Sequence, residues 1–402
     1  MSKFNLHFKM ETQDAIAYAK ENLDIFDKAT DLQAMEIGDG NINYVFKVWD
    51  AETNKSIIIK QADVLLRSSG RPLDVDRNRI EAEALMLQGK VAPEFVPKVY
   101  KYDPIMCAIA MEDISDHVCL RSELLNRKIF PLLADHITTF LVNTLLPTTD
   151  LVMNPEKKKD NVKKFINKNL CSITEDLVLT EPYINYRNRN IVLRENIVFV
   201  KKELYEDKEL VLEAGKLKNA FMNNTQALLH GDLHSGSIFV KENSTKVLDP
   251  EFAFYGPMGY DLGNVIGNLF FARANALVTS EPDEIEEFLI WMEKTIEDII
   301  YLFKKKFVRL YQKIVKDVMA RQEEYMDWYL EAVLSDAAGY AGMEIIRRVV
   351  GDSKVADITS IKNRNARIKA ERLLILAAKA FIKNRDEIKT GSNYVTLFRK
   401  YK

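Results

Sequence analysis

The sequence predicts an α+β protein of two lobes, a small β-rich N-terminal lobe and a larger, mainly helical C-terminal lobe. The chain has 402 residues, which exceeds the size at which one hydrophobic core keeps growing. Runs of strand type are concentrated before about residue 113, whereas long stretches of helical spacing dominate after residue 260. We therefore place the lobes at residues 1–113 and 114–402.

The N-terminal lobe is predicted to contain a helix, three strands, a second helix and two further strands. The second helix is indicated by Ile80, Ala84 and Leu87, which share one face at helical spacing. The β-branched run around residues 55–61 is typical of a strand. The predicted helices are residues 12–26 and 76–90, and the strands lie within 36–49 and at 55–61, 98–102 and 106–111.

The C-terminal lobe is predicted to be helical on both sides of one central motif region. One segment, residues 154–169, is rich in Lys and Asn and favours a solvated helical face. The alternative for this segment is an anion-binding patch formed by Lys157 to Lys159. The helix candidates are residues 131–146, 154–169, 260–272, 282–305, 323–350 and 363–384.

The bulk composition favours a cytoplasmic enzyme with neither a nucleic-acid nor a membrane partner. The chain is 47% hydrophobic and 29% charged, which is ordinary for a globular protein, and its net charge of −2 supplies no basic field for anionic polymers or lipids. Its three cysteines are far apart and fit a reducing compartment. We identify no signal peptide at the N-terminus and no apolar stretch long enough to cross a bilayer.

The most informative motifs are residues 230–234, His-Gly-Asp-Leu-His, and 247–251, Val-Leu-Asp-Pro-Glu. They supply three carboxylates, Asp232, Asp249 and Glu251, which are costly to bring together without a cation because like charges raise each other's pKa. Mg²⁺ prefers such hard oxygen ligands. If Asp249 and Glu251, alternating along a strand end, bind the metal, Asp232 is left as base for a substrate hydroxyl. This arrangement predicts phosphoryl transfer, although Asp232 taken alone could be a turn-capping residue.

A glycine pair, Gly38 and Gly40, lies between two alternating apolar runs of the N-terminal lobe. One interpretation is a plain hairpin, since Asp-Gly is a strong hairpin signal. The other is a flap whose backbone N–H groups lie over nucleotide phosphates, which glycine permits because it has no Cβ. In that case Asn41 or Asn43 could add a side-chain contact to the nucleotide.

Lys60 lies near the end of the strand that follows the glycine pair. A lysine in a strand is often an exposed edge or outer-face residue. At this place, however, Lys60 is similar to the phosphate-pairing lysine of protein kinases. Glu81 on the next helix is then its natural partner, and Glu83 is a weaker candidate because it lies roughly 200° further around the helix. Surface positions for both glutamates are the alternative.

The motif region has further polar residues with two possible roles. Asp261 opens a predicted helix and could simply complement the helix dipole, but we favour a structural role in which it accepts backbone N–H bonds from the loop carrying Asp232. His230 and His234 would suit zinc, but no third ligand has suitable spacing. We therefore expect His230 to be a packed structural residue.

Arg347 and Arg348 lie in an otherwise apolar helical stretch. Because neighbouring residues of a helix diverge by about 100°, we expect only one of them to face solvent. The other requires a partner, since an unpaired buried guanidinium is very costly. The candidates are Glu344 and, alternatively, a substrate hydroxyl or phosphate beside Asp232.

In this order the motifs resemble those of the 5-methylthioribose kinase family, one of the small-molecule kinases with a protein-kinase-like fold. That wider group, which includes aminoglycoside and choline kinases, typically carries an asparagine where this chain has Ser237. Glu251 looks like the substitute for that second metal ligand. The twin arginines are also similar to a pair in the family. The matching blocks are residues 38–46, 58–62, 111–113, 230–239, 249–257 and 347–348.

The resemblance implies that ATP, with Mg²⁺, phosphorylates O1 of 5-methylthioribose to give 5-methylthioribose 1-phosphate in methionine salvage. It also implies a homodimer. The implied roles are Asp232 as catalytic base and substrate contact, Arg347 and Arg348 as substrate contacts, Asp249 and Glu251 as metal ligands, and Gly38, Gly40, Asn41, Asn43, Lys60 and Glu112 as ATP contacts.

One departure concerns the loop before the second helix, where relatives often have tryptophan and this chain has Arg71-Pro-Leu73. Two other functions are open. The first is a kinase of another small alcohol, of the aminoglycoside, choline or homoserine type. The second is a non-catalytic nucleotide-binding module, which predicts a missing base, lysine or metal ligand, whereas Lys60, Asp232, Asp249 and Glu251 are all present.

Overall fold

The computed structural model describes residues 2–27, 29–38, 43–65 and 72–401. The chain divides into two compact units, Met1–His117 with Lys246–Ala253, and Val118–Thr245 with Phe254–Lys402. The predicted α+β class is confirmed, since the first unit contains an antiparallel sheet and the second is mainly helical. The first unit continues past residue 113 to His117, and it takes in the later segment that carries Asp249 and Glu251.

The first unit is built on a five-stranded sheet with the order β1-β2-β3-β5-β4 and antiparallel neighbours throughout. The predicted order of helices and strands is confirmed, with ends that differ by a few residues. The elements are α1 (Thr12–Asn22), β1 (Leu32–Glu36), β2 (Tyr44–Asp50), β3 (Ser56–Gln61), α2 (Asp76–Val91), β4 (Val99–Asp103) and β5 (Ala108–Glu112).

The two faces of this sheet have different neighbours, and this decides where Lys60 points. Successive strand residues face opposite sides. Ile57 and Ile59 of β3 join the buried cluster that includes Tyr18 of α1. Lys60 is instead paired across the sheet with Ile109, which packs against Ala82 of α2. The alternation therefore directs the lysine to the side covered by α2.

The second unit has short strands among its helices. β6, β8 and β9 form one small sheet in that order, and β7 pairs with β10. β9 leads the chain back into the first unit at Lys246. The elements are β6 (Val118–Cys119), α3 (Leu120–Leu125), α4 (Leu133–Leu145), α5 (Pro155–Lys164), α6 (Lys168–Ile173), α7 (Glu181–Ile184), α8 (Ile197–Val200), α9 (Lys208–Asn223), β7 (Ala227–Leu228), β8 (Ile238–Lys241), β9 (Ser244–Val247), β10 (Tyr255–Gly256), α10 (Gly259–Thr279), α11 (Pro282–Ile314), α12 (Glu323–Val350), α13 (Ala356–Thr359), α14 (Arg364–Lys383) and α15 (Gly391–Arg399).

The predicted solvated helix at 154–169 is wrong in one respect. Two helices, α5 and α6, occupy most of this segment, and Lys158 on α5 is buried while its neighbours Lys157 and Lys159 are exposed. The Lys158 ammonium donates to Asp150 and Thr225 carbonyl oxygen, both at 2.7 Å. It therefore joins two chain segments inside the second unit, and the exposed-face interpretation fails at this position.

Helices α10 and α12 approach closely because α10 presents glycines to its neighbour. A Cβ built on Gly263 would lie 2.5 Å from the Ala337 carbonyl oxygen, and one on Gly259 would lie 2.6 Å from the Ala337 nitrogen. Both distances are shorter than van der Waals contact, so only glycine permits this spacing. Asp261 and Arg347 are carried by these two helices. Among the described residues, no helix is both long enough and apolar enough to cross a membrane.

Candidate active site

The predicted site residues fall into two sets, one in each compact unit. In the first unit, Lys60 is almost completely buried, and its Nζ lies 2.6 Å from Glu81 Oε1 and 2.6 Å from Asp249 Oδ1. The prediction that Glu81 is the partner of Lys60 is confirmed. Glu83 instead pairs with Arg79 at 2.9 Å. The direction set by β3 and the helical position of Glu81 thus bring a lysine and two acids together.

Glu251 belongs to the same cluster through two residues of the first unit. Asn43 Nδ2 donates to Glu251 Oε2 at 3.4 Å, and Arg77 Nη2 donates to Asn43 Oδ1 at 3.1 Å. The Arg77 Nε lies 3.7 Å from Glu251 Oε2. Arg77 was not identified from the sequence. Its signal was its place four residues before Glu81, which puts both side chains on one face of α2.

The backbone around Asp249 differs from the prediction. β9 ends at Val247, Asp249 has a left-handed conformation with φ 62° and ψ 47°, and a 3₁₀ turn covers Pro250–Phe252. The prediction that Asp249 and Glu251 alternate along a strand end is therefore wrong. Aspartate tolerates the left-handed region better than most residues do, and non-glycine residues held there are concentrated at functional sites.

Like charges lie close together in this cluster. Among the described residues, three carboxylates, Glu81, Asp249 and Glu251, lie near two cations, Lys60 and Arg77. Burial raises the pKa of Glu81 to about 7, despite the attraction of Lys60, and the other two acids contribute to the rise. Burial likewise raises the pKa of Glu251, and Asp249 adds to the effect. An additional cation would relieve this repulsion.

The remaining candidates of the first unit have separate surroundings. Gly38 lies in the turn after β1, and no atom of the described residues lies within 4 Å of a Cβ built there. Glu112 ends β5, where its carboxylate accepts from the Lys98 backbone N–H at 3.0 Å and from Lys246 Nζ at 3.3 Å. Gly40 and Asn41 lie outside the described residues, as does Arg71.

In the second unit, the loop after β7 places Asp232 with the help of Asp261. Gly231 has a φ of 86°, a conformation that glycine adopts without steric cost. The buried Asp261 carboxylate accepts the backbone N–H groups of His230 at 2.7 Å and Gly231 at 3.0 Å. The predicted structural role of Asp261 is thus confirmed. His230 is buried, as expected for a packed residue.

Asp232 lies beside both arginines of α12. Arg347 Nη2 donates to Asp232 Oδ1 at 2.8 Å, and Arg348 Nη2 lies 3.6 Å from the same oxygen. The prediction that one arginine faces solvent is wrong, because both are buried. Both also contact the fully buried Glu344, Arg347 through a short hydrogen bond and Arg348 at 3.1 Å. Glu344 is therefore confirmed as a partner of the arginines, Asp232 is a further partner, and substrate binding by Arg347 and Arg348 stays a prediction.

His234 contacts the other oxygen of Asp232. Its Nε2 lies 3.4 Å from Asp232 Oδ2, while its Nδ1 accepts the Gly236 backbone N–H at 3.1 Å. Ser237 Oγ is also 3.1 Å from Nδ1. Burial lowers the pKa of His234 to about 4, outweighing the attraction of Asp232, so the ring is neutral near pH 7.

The surroundings keep Asp232 ionised. Burial by itself raises the pKa of this carboxyl, but positive charge on His234 and the two arginines outweighs it, and the net pKa is well below the ordinary value. Since His234 is neutral near pH 7, Arg347 and Arg348 supply this stabilisation under ordinary conditions. The carboxylate is thus available to accept a hydrogen bond from a hydroxyl.

The described residues contain no group of three or more His, Cys, Asp or Glu side chains placed to hold a metal ion. This result does not conflict with Mg²⁺, which proteins often bind through one or two carboxylates while phosphate and water supply the other ligands.

Comparison with known proteins identifies relatives over nearly the whole chain. The phosphotransferase enzyme family matches residues 200–283. Methylthioribose kinase of Geobacillus sp. (strain WCH70) is 38% identical over 391 residues, covering 96% of this chain and 94% of the relative. Methylthioribose kinase of Bacillus pumilus (strain SAFR-032) is 37% identical over 379 residues, covering 94% and 93%.

Among solved structures, choline kinase from Cryptosporidium parvum Iowa II has a similar fold. The TM-score is 0.51 at 12% sequence identity, and the match covers 97% of this chain and 96% of that chain. At this level of identity the likeness concerns the fold alone. It confirms the prediction of a kinase-like α+β fold.

Proposed function

This chain belongs to the methylthioribose kinase family, and on that premise we propose that it transfers the γ-phosphoryl group of ATP to O1 of 5-methylthioribose, forming 5-methylthioribose 1-phosphate in methionine salvage. The relatives' shared name supports the substrate. The observation that carries the chemistry is the ionised Asp232 held between Arg347 and His234. A carboxylate fixed in this way can take the proton of an attacking hydroxyl.

In the proposed reaction, Asp232 orients the sugar O1–H and accepts its proton as the oxygen attacks phosphorus. The arginines beside it offer guanidinium donors to the sugar hydroxyls and to the oxygens of the transferred group, which bear negative charge throughout. Because Glu344 and Asp232 engage them in advance, Arg347 and Arg348 need little reorganisation when substrate binds.

Lys60 is proposed to contact the ATP phosphates, with Glu81 holding its ammonium in place. Gly38, Gly40, Asn41, Asn43 and Glu112 are proposed as further ATP contacts on the strength of the family resemblance.

Asp249 and Glu251 are proposed to hold Mg²⁺. The donor set suits this ion, because both residues supply carboxylate oxygens, and the charge of Asp249 contributes to the raised pKa of Glu251. When bound, Mg²⁺ would neutralise charge on the nucleotide phosphates. Titration of magnesium binding by calorimetry with ATP present tests this assignment. Asp249→Asn should weaken magnesium binding, and unchanged binding would contradict the assignment.

The experiment that tests the function measures ADP release from Mg-ATP with 5-methylthioribose, choline, kanamycin and homoserine as separate acceptors. Release with 5-methylthioribose alone is the expected result, and release with only another alcohol would replace the substrate. Asp232→Asn should lower kcat by about 10²–10⁴-fold with little change in the KM for ATP. Near-normal turnover of this variant would remove Asp232 from the mechanism. Wild-type protein that binds ATP but transfers nothing would favour a non-catalytic module.

We also propose that the protein is a homodimer of the cytoplasm, as the family resemblance implies. Its oligomeric state is measured by sedimentation equilibrium. A monomer at micromolar concentration would contradict the dimer.

A further inference from the structure

We propose that His234 is a positioning residue for Asp232: a neutral imidazole, held by Gly236 and Ser237, that donates its Nε2–H to the carboxylate of the catalytic base. This inference rests on the proposed phosphoryl transfer for its catalytic meaning. The tautomer and the contacts of His234, in contrast, are properties of the protein without substrate. The structural part and the catalytic part of the inference can therefore be tested separately.

The tautomer follows from the hydrogen bond at Nδ1. A backbone N–H can only donate, so the Gly236 N–H at 3.1 Å requires an unprotonated Nδ1. In a neutral ring the proton then resides on Nε2, the nitrogen that lies 3.4 Å from Asp232 Oδ2. This distance is long for a hydrogen bond, and catalytic hydrogen bonds are often long before substrate binds and shorten in the complex.

The loop around His234 is packed so that the ring has little freedom. A Cβ added to Gly236 would lie 3.0 Å from the His234 ring and 3.1 Å from Arg121 Nη1, so glycine allows these groups to approach. Ser237 Oγ lies 3.1 Å from Nδ1 and 3.4 Å from the Asp232 carbonyl oxygen. Ser237, at the place of the asparagine usual in the wider group, thus supports the base within its own loop.

Neutrality is essential to this role. Around the ring, Arg121 and Arg348 disfavour a positive charge, whereas Asp232 and Glu344 favour it, and burial decides the balance against protonation. Asp232 already has a guanidinium on Oδ1. A second full charge on Oδ2 would weaken it further as a base, while a neutral donor fixes the orientation of the carboxylate without that effect.

Two substitutions separate the nitrogens of the ring. Asn at position 234 can place its amide oxygen near Nδ1 and accept the Gly236 N–H, but it has no group at the Nε2 position. Gln can place an amide N–H near Nε2. We expect His234→Asn to lower kcat by about 10–100-fold with unchanged KM for ATP, because the base is no longer oriented. His234→Gln should recover a large part of this loss. The matched control is His136→Asn, which removes a ring on α4 whose Nδ1 lies 3.1 Å from Thr245 Oγ1, and its kcat should be normal.

A double-mutant cycle with Asp232→Asn distinguishes positioning from a general structural role. If His234 acts through Asp232, His234→Asn should have no further effect on kcat once Asp232 has been replaced. A full additional loss in that background would overturn the proposal. So would equal kcat in the Asn and Gln variants.

The tautomer is tested without any catalytic readout. Long-range ¹H–¹⁵N spectra of histidine-labelled protein at pH 7, assigned with His234→Asn, should show a neutral ring with the proton on Nε2. A ring protonated on both nitrogens, or on Nδ1 alone, would refute the proposal whatever the substrate. If the spectrum agrees and no acceptor is phosphorylated, the proposed function fails while the tautomer is established, and the catalytic part of the inference fails with the function.

Discussion

Glu344 offers the sharpest test of how the arginines are held beside Asp232. Its side chain is fully buried and accepts from Arg347, from Arg348 at 3.1 Å and from Asn268 at 3.1 Å. The carboxylates of Glu344 and Asp232 thus balance the guanidinium groups of the two arginines. The change Glu344→Gln keeps the shape but leaves one negative charge for two positive charges, and it turns an amide N–H₂ towards groups that are themselves donors.

The expected cost follows from the burial of the network. Removing one partner of a buried ion pair costs about 3–5 kcal/mol, because an uncompensated charge stays behind. For a protein of 402 residues that corresponds to a decrease in Tm of about 4–6 °C, because the unfolding entropy is about 0.8 kcal/mol/K. The pKa of Glu344 is lowered because the arginines outweigh burial, so its stabilising charge is present at pH 7. The measurement is urea unfolding, with scanning calorimetry for Tm.

The matched control is Glu331→Gln on the same helix. Glu331 pairs with Lys389 at 3.1 Å, but its side chain is 62% exposed. We expect this change to alter the free energy of unfolding by less than about 1 kcal/mol, as exposed ion pairs do. If Glu344→Gln were as mild as its control, the reasoning that buried charge balance holds Arg347 and Arg348 would be refuted.

Three further predictions concern other contacts of the second unit. Lys158→Met should destabilise the protein by about 2–4 kcal/mol in urea unfolding, because buried carbonyl oxygens lose their donor, whereas exposed Lys157→Met should be nearly neutral. A similar effect of both changes would contradict the buried role. Asp261→Asn should lower kcat by about tenfold or more while the KM for ATP is unchanged. The amide N–H₂ of asparagine would face one backbone N–H of the Asp232 loop, donor against donor, and displace the loop. Normal kcat would show that Asp261 does not anchor this loop. Burial raises the pKa of Asp207, but Lys379, the Leu210 N–H and Lys383 lower it by more, so that the net pKa is about 2. Since the folded pKa is depressed, this stabilisation is present above the unfolded pKa of about 3.9 and is lost as the pH falls towards 2. The free energy of unfolding of the Asp207→Asn variant should therefore depend less on pH between about 5 and 2 than that of the wild type. Equal slopes of this free energy against pH would contradict the assignment.

The order of the elements and the family could be predicted from the sequence because both depend on local patterns. Alternation and β-branched residues indicate strands, and the blocks around Asp232 and Asp249 carry the resemblance that relatives at 37–38% identity confirm. The pairing of Lys60 with Glu81 was also predictable, since strand alternation and helix position restrict where each side chain points.

Other features depended on contacts between distant parts of the chain. The left-handed conformation of Asp249 replaced the strand end expected from alternating residues. The burial of both Arg347 and Arg348 could not be predicted from the helix alone. Their side chains leave the helix about 100° apart, so both are buried only when other segments cover the helix on more than one side.

What the sequence by itself determined is the set of chemical groups and their local geometry: a lysine on a strand, a base in a glycine-containing loop and acids after a short strand. Apart from the pair of Lys60 and Glu81, only the tertiary structure decided which charges are buried and paired. Lys158, Arg77 and Glu344 are of residue types that usually lie at the surface. They are buried here because other segments of the chain supply their partners. The physical reason is that the cost of burying a charge is set by its neighbours in space, which local sequence patterns do not specify.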